Sequence, residues 1–302
     1  MPETCFPSFL PYDTPISAGR QNETKRNETK RNETKRNETK RNETKRNETK
    51  RNETRQVLGV TYRYLLRPPL KLTKFGKYAV VTGATDGIGK AYAHALSKRG
   101  MSLVLISRTE SKLRAVADEI DSTAKGGTTE KTRIVVCDYS NFDDGARSRV
   151  AKELAGLDVG VLINNVGVSY RYPMYFHELS ESEVGDVVEM NVNSTVRMTK
   201  MVIDGMAKRR RGTILNVSSG SAGYAMPLLA EYGAAKMFVQ RFSESLDAEY
   251  GRRGVRVQCQ VPFYVATKLA KLRKSLTVPT AEEYAKMGVD WLGYGGVVQP
   301  VS

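Results

Sequence analysis

The segment Tyr232-Gly-Ala-Ala-Lys236 sets a phenol and an ammonium four residues apart, on one face if the stretch is helical. A free tyrosine ionises near about pH 10, too high for efficient acid–base work at neutrality. A neighbouring cation favours the phenolate and is expected to lower that pKa. Ser219 lies 13 residues upstream, just past an apolar run that closes in Asn216-Val217-Ser218. A hydroxyl at such a strand end can orient a carbonyl oxygen while Tyr232 protonates it. A Tyr–Lys pair recurs by chance in many helices, so its setting has to decide.

A glycine turn supplies that setting. The apolar run from Tyr78 to Val81 leads straight into Thr82-Gly83-Ala84-Thr85-Asp86-Gly87-Ile88-Gly89 and then a helical pattern. Strand, glycine turn and helix form the context for a dinucleotide pyrophosphate: glycines admit close backbone approach, and the helix N-terminus offers free N–H groups. The spacing, Gly-x-x-x-Gly-x-Gly, is one residue longer than the common fingerprint. A positive, oxidised nicotinamide would join Lys236 in favouring the Tyr232 phenolate. Where an acidic side chain would grip the 2′-hydroxyl of NAD, the second strand ends in Ser107 and Arg108. A carboxylate repels a 2′-phosphate and a guanidinium binds it bidentately, so NADP(H) is the expected cofactor.

Alternating elements must position these groups. The pattern predicts strands over 78–81, 102–106, 133–137, 159–163, 213–217 and 255–261. It predicts helices over 87–100, 111–120, 181–208 and 229–250. Near-continuous Val/Ile/Leu strands separated by helices imply a parallel sheet covered on both faces. The expected fold is α/β, a doubly wound parallel sheet of Rossmann type, forming one domain over 71–302. A low-complexity tail and linker is expected over 1–70.

Composition bounds the partners. Six copies of Asn-Glu-Thr-Lys-Arg run from Asn22 to Arg51, and each adds one positive charge to a net of +15. The five-residue repeat fits neither a helical nor a strand period and offers no apolar face, so disorder is expected. Each unit is also a formal glycosylation acceptor, but with no secretory signal in view it reads as a solvated repeat. The basic balance favours phosphorylated cofactors, coenzyme A esters or an anionic membrane surface. Nucleic acid is not expected, because the repeat lacks interleaved aromatics and every unit carries a glutamate. No apolar run reaches the roughly 20 residues of a membrane-spanning helix. Cys5, Cys137 and Cys259 lie too far apart for a disulfide framework; the last two sit in apolar runs and read as buried thiols. With only His94 and His177, and no cluster at ligand spacing, neither a histidine triad nor a metal site is expected.

Taken in order, Thr82-Gly-x-x-x-Gly87-x-Gly89, Asn164-Asn165-Val166-Gly167, Ser219 and Tyr232-x-x-x-Lys236 resemble the motif set of the short-chain dehydrogenase/reductases, over about 77–271. The resemblance implies Tyr232 as general acid/base, Lys236 holding the ribose and tuning Tyr232, Ser219 positioning substrate and Asn191 supporting a relay water. Asn193 is an alternative for the Asn191 role, and Ser218 for that of Ser219. By the same resemblance Gly83, Thr85, Asp86, Gly87, Ile88, Gly89, Ser107 and Arg108 bind the cofactor. Asp138 would contact the adenine, Asn165 and Gly167 would line the groove, and Val265 and Thr267 would bind the carboxamide.

The wording Asn164-Asn-Val-Gly-Val-Ser-Tyr170, Leu215-Asn-Val-Ser-Ser-Gly-Ser221 and Pro262-Phe-Tyr-Val-Ala-Thr-Lys268 narrows this. It is similar to the very-long-chain 3-oxoacyl-CoA reductases and related 17-beta-hydroxysteroid dehydrogenases. In that branch Val166 replaces an alanine and Phe263 replaces the glycine of a Pro-Gly turn. Tyr170, Tyr172, Met174, Tyr175, Phe176, Phe263 and Tyr264 fall in the two segments that flank its active site, with Lys268, Lys271, Arg273 and Lys274 following. An apolar wall with a basic rim suits an acyl-CoA better than a steroid, which carries no phosphate.

The expected function is therefore NADPH-dependent reduction of a long-chain 3-oxoacyl-CoA in fatty acid elongation, with hydroxysteroid dehydrogenation as the alternative. A basic-repeat nucleic-acid-binding protein with a vestigial nucleotide fold is the reading from another class. The branch implies the cytosolic face of the endoplasmic reticulum, with membrane-surface association and a homodimer as further partners; without membrane segments the location would be cytoplasmic. The repeat stands where the branch has an N-terminal membrane segment, and Ser302 falls about where a final strand beginning Gly296-Val-Val-Gln would start, so truncation at the C-terminus is expected.

Overall fold

The computed structural model describes residues 67–123, 130–270 and 272–299, with further positions between 26 and 62 of which 40–52 is the longest run. The chain divides between Arg67 and Pro68 into an N-terminal unit and a sheet domain. Among the described repeat positions, residues 40–52 are helical and exposed. Glu, Lys and Arg are good intrinsic helix formers, and no packing face is needed for that preference. The Thr44, Thr49 and Thr54 hydroxyls each donate to the carbonyl four residues earlier, Lys40, Lys45 and Lys50.

In the sheet domain seven strands form one sheet, in the order β3-β2-β1-β4-β5-β6-β7. They are β1 Tyr78–Thr82, β2 Ser102–Ser107, β3 Arg133–Val136, β4 Val159–Asn164, β5 Gly212–Val217, β6 Val255–Gln260 and β7 Gly296–Val298. All pairings are parallel, and Val80 of β1 registers with Val104 on one side and Leu162 on the other. Every residue of β1, β2, β4 and β5 is buried, as strands covered on both faces must be.

Alternation sorts the strand residues into two cores. Ala79, Val81, Leu103, Leu105 and Val161 pack against helices α1 Gly87–Lys98, α2 Glu110–Thr123 and α7 Ala281–Asp290. Tyr78, Val80, Val104, Leu162 and Ile214 face α3 Asp144–Leu154, α5 Ser194–Lys208 and α6 Ala230–Tyr250. The doubly wound sheet expected from the sequence is the fold observed, with β7 at one edge.

Two helices, α3 and α7, lay outside the predicted set. A capping box at α7, in which Thr280 accepts from the Glu283 N–H and Glu283 returns to the Thr280 N–H, was legible as Thr-x-x-Glu. The single helix predicted over 181–208 is instead α4 Glu181–Val188, a π turn over Glu189–Asn193, and α5. Asn191 sits inside that widened turn, and its amide donates to the Val187 carbonyl at 2.9 Å. No described helix is long and apolar enough to cross a membrane.

A buried polar chain ties the layers under the site. Asn164 at the end of β4 donates to Asn216 Oδ1 at 2.8 Å and to Thr199 Oγ1 of α5 at 3.0 Å. Asn216 in turn donates to Ser243 Oγ of α6 at 2.8 Å. Replacing Asn216 by Ala strands buried partners on both sides, a loss of about 1–3 kcal/mol of stability per unsatisfied group. Chemical denaturation of Asn216→Ala should show a midpoint lowered accordingly with an unchanged m-value.

Candidate active site

The strand order reverses direction between β1 and β4, which is where a doubly wound sheet opens a crevice at its carboxyl edge. The glycine turn leaves β1 on that edge. Gly83 and Gly87 hold φ of +64° and +51°, a region side chains disfavour. A Cβ at Gly89 would stand 2.3 Å from the Gly83 carbonyl oxygen, so α1 can pack this tightly only with glycine there. Asp86 caps α1 by accepting from the Gly87 N–H at 2.8 Å. Its other oxygen takes a 2.8 Å ion pair from Lys268, which holds the carboxyl below its usual pKa.

From β4, Asn165 braces the same turn: its N–H donates to Thr82 Oγ1 at 3.0 Å and its amide to the Thr82 and Gly83 carbonyls. Thr85 and Ser107 meet through their hydroxyls at 3.0 Å, joining the ends of β1 and β2. Between these loops lies a groove of about 450 Å³. Of the predicted cofactor residues, Gly83, Thr85, Asp86, Gly87, Ile88, Ser107, Arg108, Asp138, Asn165, Gly167 and Thr267 line it. Val265 does not; it is buried in the core on the α1 side. Gly89 acts behind the turn rather than at the groove surface.

Two buried polar side chains, Asn191 and Lys236, gather next to Gly167. A Cβ on Gly167 would meet Asn191 Oδ1 at 2.6 Å and Lys236 Nζ at 3.0 Å, so both polar atoms converge on one small space. Asn191 is fully buried, and its amide donates to the Val168 and Val187 carbonyls. Its Oδ1 is buried without a hydrogen-bond partner, an acceptor aimed where a bound group or water would sit. Asn193 points elsewhere, donating to Glu189 Oε2 at 2.6 Å. Ser218 is likewise committed, donating to the Lys236 carbonyl at 2.8 Å. Both alternatives are thus held in structural bonds, while Asn191 and Ser219 face the cluster.

Lys236 is buried, and its ammonium donates to the Val217 carbonyl at 3.1 Å, at the end of β5. Burial lowers its pKa to about 8. One helical turn before it, the Tyr232 ring centroid lies 5.7 Å from Lys236 Nζ. The expected lowering of the phenol pKa is corrected here. Burial raises the Tyr232 pKa, a hydrogen bond from Ser219 offsets part of that, and Lys236 contributes no counterweight. A phenol that keeps its proton at neutrality is suited to donating it. Cys259, near Lys236, is a buried thiol whose pKa burial pushes up to about 12.

Several features had no clear signal in the sequence. The Val217 carbonyl is a backbone group. Lys268 and Asp86 stand 182 residues apart. The loops before α4 and α6 are joined by Met174 N–H to the Leu228 carbonyl at 3.0 Å, and by Glu231 N–H to the Tyr170 hydroxyl at 3.1 Å. Tyr170 and Met174 are buried beside Tyr232, whereas Tyr172, Tyr175, Phe176, Phe263 and Tyr264 are exposed. The expected basic rim is weaker than predicted: Lys268 pairs with Asp86, Lys274 pairs with Glu283, and Lys271 lies outside the described residues.

A glycine-lined groove feeding a Tyr–Ser–Lys–Asn cluster at the edge of a parallel sheet is the site of a dinucleotide-dependent oxidoreductase. The short chain dehydrogenase family model matches residues 77–276, and the chain belongs to that family. It is 44% identical over 227 residues to the very-long-chain 3-oxoacyl-CoA reductase-B of Danio rerio, covering 74% of this chain and 71% of that protein. It is also 44% identical over 221 residues to the Homo sapiens very-long-chain 3-oxoacyl-CoA reductase, covering 72% and 69%. Among solved structures, a Sphingobium yanoikuyae short-chain dehydrogenase in complex with NADPH aligns with a TM-score of 0.66 at 23% identity, over 74% of this chain and 87% of that one.

The depressed Lys236 pKa makes a stability prediction. Unfolding returns the ammonium to its ordinary value of 10.5, so between about pH 8 and that value the unfolded state binds the extra proton. Stability contributed at this position therefore rises with pH across that window, by on the order of 3 kcal/mol. Denaturation midpoints of wild type and Lys236→Met should converge or cross as pH rises through it; a constant difference would place the Lys236 pKa at its ordinary value.

Proposed function

We propose that this chain is an NADPH-dependent ketone reductase acting on long-chain 3-oxoacyl-CoA esters, at the cytosolic face of the endoplasmic reticulum. The observation that carries the chemistry is the convergence of Asn191 Oδ1 and Lys236 Nζ on the space beside Gly167, one helical turn from Tyr232. The substrate class is supported by the names of the relatives at 44% identity.

The residues suit the group they would hold. The turn from Gly83 to Ile88 opens α1 toward a pyrophosphate, with free N–H groups and the positive end of the helix dipole. Arg108 lies at the groove where a 2′-phosphate would need a cation, and Asp138 and Thr267 line the same groove. Bound there, NADPH supplies a hydride to the carbonyl carbon.

The chain's own groups manage the oxygen. Ser219 donates a hydrogen bond that fixes the carbonyl oxygen, and Tyr232 transfers its phenolic proton to that oxygen as negative charge develops. The raised Tyr232 pKa keeps that proton in place until it is needed. Lys236 holds the ribose hydroxyls, and Asn191 Oδ1 accepts from the water that returns a proton to Tyr232. The loops joined through Met174 and Leu228 carry the apolar side of the substrate site.

Two measurements test this. NADPH should bind more tightly than NADH, and Arg108→Ala should erase about one to two decades of that preference, the size of a charge-assisted contact. Equal affinities for the two cofactors in the wild type would contradict the assignment. A long-chain 3-oxoacyl-CoA should be reduced with a higher kcat/KM than a neutral 17-ketosteroid; efficient steroid turnover with none of the acyl-CoA would move the protein to hydroxysteroid dehydrogenation.

A further inference from the structure

Past the carboxyl edge of the sheet, the chain segments leaving β5 and β6 continue side by side. Ser218 N–H donates to the Gln260 carbonyl at 2.8 Å, and Gly220 N–H donates to the Pro262 carbonyl at 2.8 Å. That second bond fixes Phe263 next to Gly220, and Gly220 follows Ser219, whose hydroxyl is bonded to Tyr232. The ring is seated directly on the glycine. A Cβ at Gly220 would stand 2.7 Å from Phe263 Cδ1 and 2.9 Å from Cε1, so no other residue lets the ring lie there. Yet Phe263 remains 49% exposed: one part of the ring is packed on backbone and the rest is open.

A core role does not account for a ring so exposed. A turn role does not account for it either, because no backbone requirement at 263 calls for an aromatic. The position does account for it. An open aromatic surface one residue from Ser219 is an apolar wall for whatever extends from the carbonyl that Ser219 fixes.

We infer that the Phe263 ring, seated on Gly220, is the surface along which the carbon chain of the substrate lies as it leaves the reacting carbonyl, and that it selects long chains over short ones. The inference rests on the ketone-reductase reading given above and adds a specificity-determining pair to it. Phe263 exchanges its exposed area for contact with the chain, and a chain too short to reach along the ring gains nothing from it. Gly220 acts through the ring and is a positioning residue.

The test is the ratio of kcat/KM for 3-oxopalmitoyl-CoA to that for acetoacetyl-CoA, measured with NADPH on the full chain. A ratio taken within one preparation does not depend on how much of a variant folds. Phe263→Ala should lower it at least about tenfold, mainly through a higher KM for the long substrate. Phe263→Leu, which keeps apolar bulk, should retain most of it. Gly220→Ala should displace the ring and lower the ratio on its own, and the double variant should fall no further than the lower single one, as expected for two residues acting as a unit. Equal losses on both substrates, or a ratio unchanged in Phe263→Ala, would overturn the assignment while leaving the ketone-reductase reading in place. A wild type that reduces no 3-oxoacyl-CoA of any length would overturn that reading and the Phe263 assignment with it.

Discussion

Lys236 carries its ammonium in the interior with 5% of the residue exposed, and the surroundings of the site follow from that constraint. An isolated ammonium in an apolar interior is penalised by several kcal/mol, and the group responds by lowering its pKa and by finding an acceptor. The acceptor is the Val217 carbonyl, which is available because β5 ends there. Gly167 has to be a glycine because Lys236 Nζ and Asn191 Oδ1 occupy the volume a side chain would fill. The π turn over Glu189–Asn193 then keeps the Asn191 amide within reach of both the Val168 and Val187 carbonyls, leaving its oxygen turned to the site.

The sheet supplies the rigidity. β1, β4, β5 and β6 each end within the same edge, so residues far apart in sequence converge without long loops. The Asn164–Asn216–Ser243 chain locks β4 and β5 to α6, the helix that bears both Tyr232 and Lys236. Thr82 and Asn165 lock the glycine turn to β4 in the same manner. The groove beside the glycine turn and the Tyr232–Lys236 cluster are therefore parts of one hydrogen-bonded edge.

Much of this was legible in the sequence because the informative residues sit at the ends of strands. Gly83, Gly87 and Gly89 follow an apolar run and precede a helical one, and that order has few structural solutions. Tyr232 and Lys236 share a helix face by spacing alone. What stayed hidden depends on three-dimensional neighbours. The direction of the Tyr232 pKa could not be read from its nearby lysine, because burial raises it and Lys236 adds no opposing effect. Lys268 belongs to the expected basic rim by sequence, but its ion-pair partner Asp86 lies 182 residues away and leaves no sign beside it. The π turn left no mark in a sequence whose apolar spacing fits an uninterrupted helix.

In the proposed reaction Tyr232 gives its proton to the substrate oxygen while Lys236 and the groove hold the cofactor independently of it. The most direct test is the single-turnover rate of NADPH oxidation by a ketone substrate in Tyr232→Phe, with NADPH affinity measured on the same preparation. The chemical step should slow by at least about 10²–10⁴-fold with cofactor affinity nearly unchanged, the signature of a lost general acid. Wild-type turnover in that variant would contradict it.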